Sequence, residues 1–353
     1  MRVLALALTV PALAAGGIPS VELGAPRAVH TATLLPSGEV LVVGGCTVDS
    51  CELDARGATT ELFDPHTNVF HAGPRLAAPR DGHAAVALRG GGVLVLGGWT
   101  PSGVTRTAER FDGTRFVPTG AMRTARGSPT ATMLRDGHVL VTGGEGAGNR
   151  KLRSAELYDP RTGRFSATGP MRVARGAHVA VLLRDGRVLV IGGSDGDLVL
   201  ASTELYDPKR GRFTPGPRLR VARQKHAAVV LRDGRVLVIG GSDERDFGGR
   251  FASAELLDVR HPRSVRVAHM SARRYKLPDA AVLLGDGSVL VAGGAIELER
   301  FDPRRGRFAP AGRIDAALAF STATRLKDGR VLVAGGYDDR IDVSGRAWIV
   351  TTH

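Results

Sequence analysis

Short apolar runs, VLVVGG, VLVLGG, VLVTGG and VLVIGG among them, recur along the chain, and each closes on a double glycine. The pairs stand at Gly44-Gly45, Gly97-Gly98, Gly143-Gly144, Gly192-Gly193, Gly240-Gly241, Gly293-Gly294 and Gly335-Gly336, separated by 42 to 53 residues. Self-similarity at a period near 50 residues marks a repeat architecture. The clearest unit starts at His178 and predicts four strands. His178 to Leu183 turns at Asp185-Gly186, read as a two-residue hairpin turn in which both residues tolerate positive φ. Arg187 to Ile191 then ends at Gly192-Gly193, a variable loop leads to Glu204-Leu205-Tyr206, and Asp207-Pro208 stops that strand because proline cannot donate to a ladder. A fourth strand begins near Phe213 and breaks at Pro215 and Pro217. Without helical periodicity between units, seven such meanders predict an all-β, seven-bladed propeller with four antiparallel strands per blade.

The repeat resembles that of the kelch family. The double glycine occurs in all seven units, and the family's aromatic pair appears as Phe63 with Phe70, Phe111 with Phe116, Tyr158 with Phe165, Tyr206 with Phe213, and Phe301 with Phe308. The match is most similar to the bacterial secreted branch, with ELYDP, an aromatic, an arginine, DGRVLV and the double glycine. Two departures are visible: Phe often stands where Trp is usual, and the fifth unit has Leu257 with no second aromatic. The resemblance extends to the galactose-oxidase-like scaffold, whose copper site needs a Cys crosslinked to a Tyr, a second Tyr and two His. Here Cys46 and Cys51 share one loop, Tyr158 and Tyr206 fill the repeated aromatic column, and neither Tyr275 nor Tyr337 is followed by His. No copper, other cofactor or catalytic residue is therefore expected.

After Gly335-Gly336 only one more strand is evident, around Ala347-Trp348-Ile349-Val350, so Ile18 to Leu23 is expected to complete the seventh blade. Residues 1–15 read as a signal peptide, with Arg2, an apolar stretch and small residues at the cleavage point, leaving 16–353 as a single propeller domain that is secreted or periplasmic. In an exported protein, Cys46 and Cys51 read as a disulfide stapling one loop. No stretch reaches membrane-spanning length, and a monomer is expected. The formal charge of +13 could serve an acidic glycan, nucleic acid or anionic surface; the reading adopted is an arginine-rich bias spread over the surface. No aromatic-plus-basic motif points to specific nucleic-acid binding.

Several polar residues keep the glycine period. Glu61, Glu109, Glu156, Glu204, Glu255 and Glu299 form one column, and Arg27, Arg80, Arg126, Arg175 and Arg223 another, both read as scaffold. His30, His83, His178 and His226 form a third, replaced by Pro129, Asp279 and Ser321 in the other blades and read as imidazoles bonding nearby loop backbone in preference to a metal. Function is expected on the loops after the double glycines, which vary in length and chemistry. The candidate binding residues there are Trp99, Asp195, Asp243, Arg245, Arg273, Tyr275 and Tyr337, and Arg274 is grouped with the same loops. The function expected is a non-enzymatic module binding protein or carbohydrate. The alternative is a carbohydrate-active enzyme, galactose-oxidase-like or sugar-mutarotase-like, with a degenerate or unrecognised site.

Overall fold

The computed structural model describes residues 17–352. Seven sheets of four antiparallel strands surround one axis, as the repeat predicts. Blade 4 comprises Val179–Leu182, Val188–Ile191, Thr203–Asp207 and Arg212–Pro215, from the axis outward. The innermost strands of all seven blades touch their neighbours in an unbroken circle. The second strands are wholly buried because adjacent blades cover both faces, which is why they read as continuous apolar runs. Cores accordingly lie between blades: Leu189 and Ile191 of blade 4 pack with Val236, Val238 and Leu257 of blade 5.

Ser20–Glu22 pairs antiparallel with Arg346–Val350 and supplies the outer strand of blade 7, the closure expected from the sequence. Leu23 extends it: its amide donates to the Gly345 carbonyl at 2.8 Å, and its side chain is buried with Ala334 and Ala347. Leu23→Ala should lower unfolding stability by about 2 kcal/mol. Chemical denaturation checks this, and an unchanged midpoint would show that closure does not depend on the segment. The leader assigned to residues 1–15 lies outside the described residues. Among the described residues no helix is long and apolar enough to cross a membrane.

The Asp-Gly turn differs from the two-residue form expected. Leu182 pairs with Val188, the Gly186 amide donates to the Leu183 carbonyl, and φ is positive at Gly186 (89°) but not at Asp185. The loop is thus three residues long with glycine in the left-handed position. Asp185 instead uses its carboxylate: Oδ1 accepts from the Arg187 amide at 3.0 Å.

The double glycines join blades. Gly193 has φ 90°, and a Cβ there would lie 2.5 Å from the Gly176 carbonyl oxygen, so no other residue fits without a shift. Its amide donates to the carbonyl of Arg223 in the next blade at 2.9 Å. The equivalent bond recurs at every blade boundary, including Gly336 to Arg27 across the closure.

Candidate functional site

Antiparallel connectivity puts the loops after the second strand and the crossovers between blades on one edge of the disc, the loop edge. The Asp-Gly and Asp-Pro turns lie on the opposite, turn edge. Beneath the loop edge the arginine and glutamate columns meet in fully buried pairs. Arg175 Nη2 donates to Glu204 Oε1 at 3.0 Å and Nη1 to the Gly192 carbonyl at 2.8 Å. Glu204 also accepts the Arg172 and Val173 amides. Arg274 belongs to this column: it is 0% exposed and bonds Glu299 at 2.8 Å and the Gly293 carbonyl at 2.9 Å. Its assignment to the loops is therefore corrected; the extra residues between Arg274 and the blade 6 inner strand hid its register.

The arginine step is followed in every blade by one residue with φ between 41° and 56°: Val29, Gly82, Ser128, Ala177, Lys225, Lys276 and Phe320. Backbone bonds join four of the successive pairs, from the amides of Gly82, Ser128, Lys225 and Phe320 to the carbonyls of Val29, Gly82, Ala177 and Lys276. This circle rims the mouth of the axial channel, a cavity of about 660 Å³. His30, His83 and His178 line it, and the Nε2 of each bonds the hydroxyl of a threonine on the preceding blade's inner strand, Thr322, Thr31 and Thr130 respectively, at 2.9 to 3.2 Å, in place of the loop backbone expected from sequence. Burial, reinforced by nearby arginine charge, pushes each of these imidazoles down to about 3. Three carboxylates also line the cavity, Glu145, which pairs with Lys151, and two aspartates. Asp81 is pushed up to about 6 by desolvation. Asp279 keeps solvent contact yet lies deep among channel atoms, and desolvation raises it too; the histidine step of blade 6 is taken instead by Leu277, three residues after Arg274, which meets Gly240 as His226 meets Gly192.

Trp99 and Phe320 both line this cavity. Trp99 opens a small hairpin, Trp99–Thr100 with Gly103–Val104, and bridges Asp81 through backbone. Its indole lies over two glycines, since a Cβ on Gly82 or Gly127 would come within 2.4 Å of the ring. Across the mouth, Tyr275, Phe320 and Tyr337 surround Lys276, whose Nζ lies 4.8, 5.7 and 5.1 Å from the three ring centroids. That enclosure lowers the Lys276 ammonium, first by desolvation and then by the Lys225 charge. Burial raises the Tyr275 and Tyr337 hydroxyls, each side chain being 7% exposed. Arg250 stacks on Phe247 at 3.8 Å, extending the cation and aromatic layer outward.

The other candidates stand apart from the mouth. Arg273 and Arg245 share a separate cleft of about 320 Å³ with Arg250 and His269. Asp243 holds Arg245 at 2.5 Å and caps its own loop. Asp195 accepts the Asp197 and Leu198 amides. Phe320 and Lys225 were missed from sequence. Their signal was present: the position one before the inner strand's histidine column varies from Val to Gly, Ser, Ala, Lys and Phe while its neighbours repeat.

The family model described as the Kelch motif matches residues 175–220, which is blade 4 from its buried arginine through its outer strand. No curated protein matches the chain. Among solved structures it is similar to a fungal alcohol oxidase of the AA5 family in complex with copper, at 20% identity and TM-score 0.76, over 96% of this chain and 76% of that one. At that identity the likeness concerns the fold. A copper ion does not fit the residues present. Cys46 and Cys51 are joined to each other, the channel histidines are spread one to a blade, and among the described residues no three His, Cys, Asp or Glu side chains are grouped to hold a metal. Seven meanders, each closing its inner hairpin on a double glycine, make the chain a seven-bladed β-propeller whose fourth blade carries a Kelch motif.

Proposed function

We propose that this propeller is an exported binding module that takes a protein or carbohydrate ligand at the channel mouth. The observation that carries the reading is Trp99, Phe320 and Lys225 on the wall of an open cavity, with Lys276 and the buried Tyr275 and Tyr337 packed behind Phe320, so that aromatic faces and cations stand together on rigid blade ends. Trp99 offers an apolar face for a sugar ring or side chain, and the cations select polar or anionic groups beside it. The apolar leader and the Cys46–Cys51 disulfide support export.

A glycan and protein-ligand screen identifies the partner. Trp99→Ala and Phe320→Ala should then each weaken binding about tenfold or more while leaving the fold intact. Retained affinity in both would move the site away from the mouth. A second reading, a carbohydrate-active enzyme, is favoured by the likeness to the copper alcohol oxidase. Stoichiometric copper with peroxide production by the purified protein would establish it in place of the binding module.

A further inference from the structure

The positive charge is not spread evenly. Counted over the inner and outer turns, two strand residues on either side of each, and Arg300, which bonds Asp286, the turn edge carries 22 of the 48 Lys and Arg but 12 of the 35 Asp and Glu. That excess of +10 accounts for most of the chain's +13, correcting the even spread expected from sequence. The six buried Arg–Glu pairs cancel, and the two signs nearly balance on the loop edge.

The cations of the turn edge are also held in place. Arg135, Arg184, Arg232 and Lys327 each lie across the turn glycine of the following blade, their Cδ atoms 3.0 to 3.6 Å from where a Cβ would stand on Gly186, Gly234, Gly287 and Gly38. Arg135 donates to the Arg184 carbonyl, Arg232 to Gly285 and Lys327 to Pro36, so basic side chains run head to tail around much of the axis. Each bond uses one N–H and leaves the others free. Further out, Arg161, Arg210 and Arg305 are 85, 67 and 82% exposed. The carboxylates of Asp159, Asp185, Asp207, Asp233 and Asp302 accept amides of their own turns and also pair with neighbouring arginines, Asp159 with Arg161, Asp207 with Arg210 and Asp302 with Arg305 at 3.5 to 3.7 Å, so the edge is positive by its surplus of cations over these paired carboxylates.

We infer that the turn edge is a docking surface for a layer of anionic lipid headgroups, distinct from the ligand site on the loop edge. Fixed cations distributed over the broad end of a disc are complementary to a planar array of phosphates. The turns themselves contain no Phe, Tyr or Trp, and the rings that flank the outer turns pack on each other in pairs, as Phe63 on Phe70 and Tyr158 on Phe165, which separates the surface from a glycan or single-stranded nucleic-acid track built on stacking.

The test is co-sedimentation of the full chain with phosphatidylcholine vesicles, with and without phosphatidylglycerol. Binding should require phosphatidylglycerol and be lost as salt is raised. Combined Arg161→Glu, Arg210→Glu and Arg305→Glu should weaken it about tenfold or more, and the same residues changed to Gln should weaken it less, with melting temperatures confirming folded protein. Arg150→Glu, Arg153→Glu and Arg340→Glu, an equal charge change on the loop edge, should leave binding nearly intact. No phosphatidylglycerol-dependent binding overturns the inference, as does an equal loss in the two Glu triples. Retention on heparin without vesicle binding would replace the lipid surface by a linear polyanion.

Discussion

Arg175→Ala is expected to cost the folded protein about 3–5 kcal/mol, far more than an exposed ion pair is worth. The side chain is fully buried and closes four contacts at once: Glu204, the Gly192 and Ser202 carbonyls and the Ser202 hydroxyl. Truncation leaves the Glu204 carboxylate in the interior with two backbone amides as its remaining partners. The Arg175 carbonyl would still receive the Gly144 amide of blade 3, so the blade boundary is strained without being severed. Denaturant unfolding of wild type and variant measures the difference, and coincident curves would show that the arginine column is not structural.

Blade 7 shows what the position tolerates. Trp348 pairs with Val333 just as Glu204 pairs with Val190, and Leu318 stands at the arginine step, giving its carbonyl to Gly294. An apolar pair there replaces the ion pair, and the indole N–H finds Asp315 at 2.9 Å. The cost of Arg175→Ala is thus chiefly that of stranding a charge, since the fold accepts the site without any charge. Arg175→Leu combined with Glu204→Met should recover much of the single-variant loss. If the double variant instead loses the sum of both single effects, the ion pair itself stabilises the blade.

The blades were legible in sequence because backbone demands repeat: in six of the seven units the double glycine answers a left-handed bend beneath a neighbouring carbonyl, blade 6 being the exception, and each apolar run answers burial on both faces. Arg274 was not legible because two additional residues before the blade 6 inner strand shift the column, although its chemistry is conserved around the ring. The Asp-Gly turn was misread because dipeptide identity does not report where φ turns positive. The mouth cluster was only half visible. Tyr275 and Tyr337 are 62 residues apart, and what joins them is Lys276 and Phe320, whose left-handed backbone orients them around the axis. Charge asymmetry was hidden for a related reason: alternate connections lie on opposite edges, so basic turns and near-neutral loops interleave along the chain and average out.

The histidine column should make the protein acid-labile. His30, His83 and His178 titrate near 3 in the folded state against an ordinary 6.5, and His226 is lowered in the same direction by the same burial. Between those limits the unfolded chain takes up protons that the folded one refuses. The stability these groups contribute is complete above about 6.5 and is lost as pH falls toward 3, by up to about 1.4 kcal/mol per pH unit for each imidazole. Asp81 opposes them, because its carboxyl is raised to about 6 and the folded state binds that proton first as pH falls from neutrality. One raised carboxylate, with Asp279 beside it in the same cavity, offsets only part of four histidines. Unfolding midpoints should therefore fall steeply from pH 6.5 to 4. His178→Ser, which installs the residue found at this step in blade 7 as Ser321, should start lower at pH 7 through loss of its threonine bonds yet decline less steeply with acid. Midpoints that stay level from pH 7 to 4.5, or an unaltered slope in His178→Ser, would mean the channel admits protons to these imidazoles without loosening the blades.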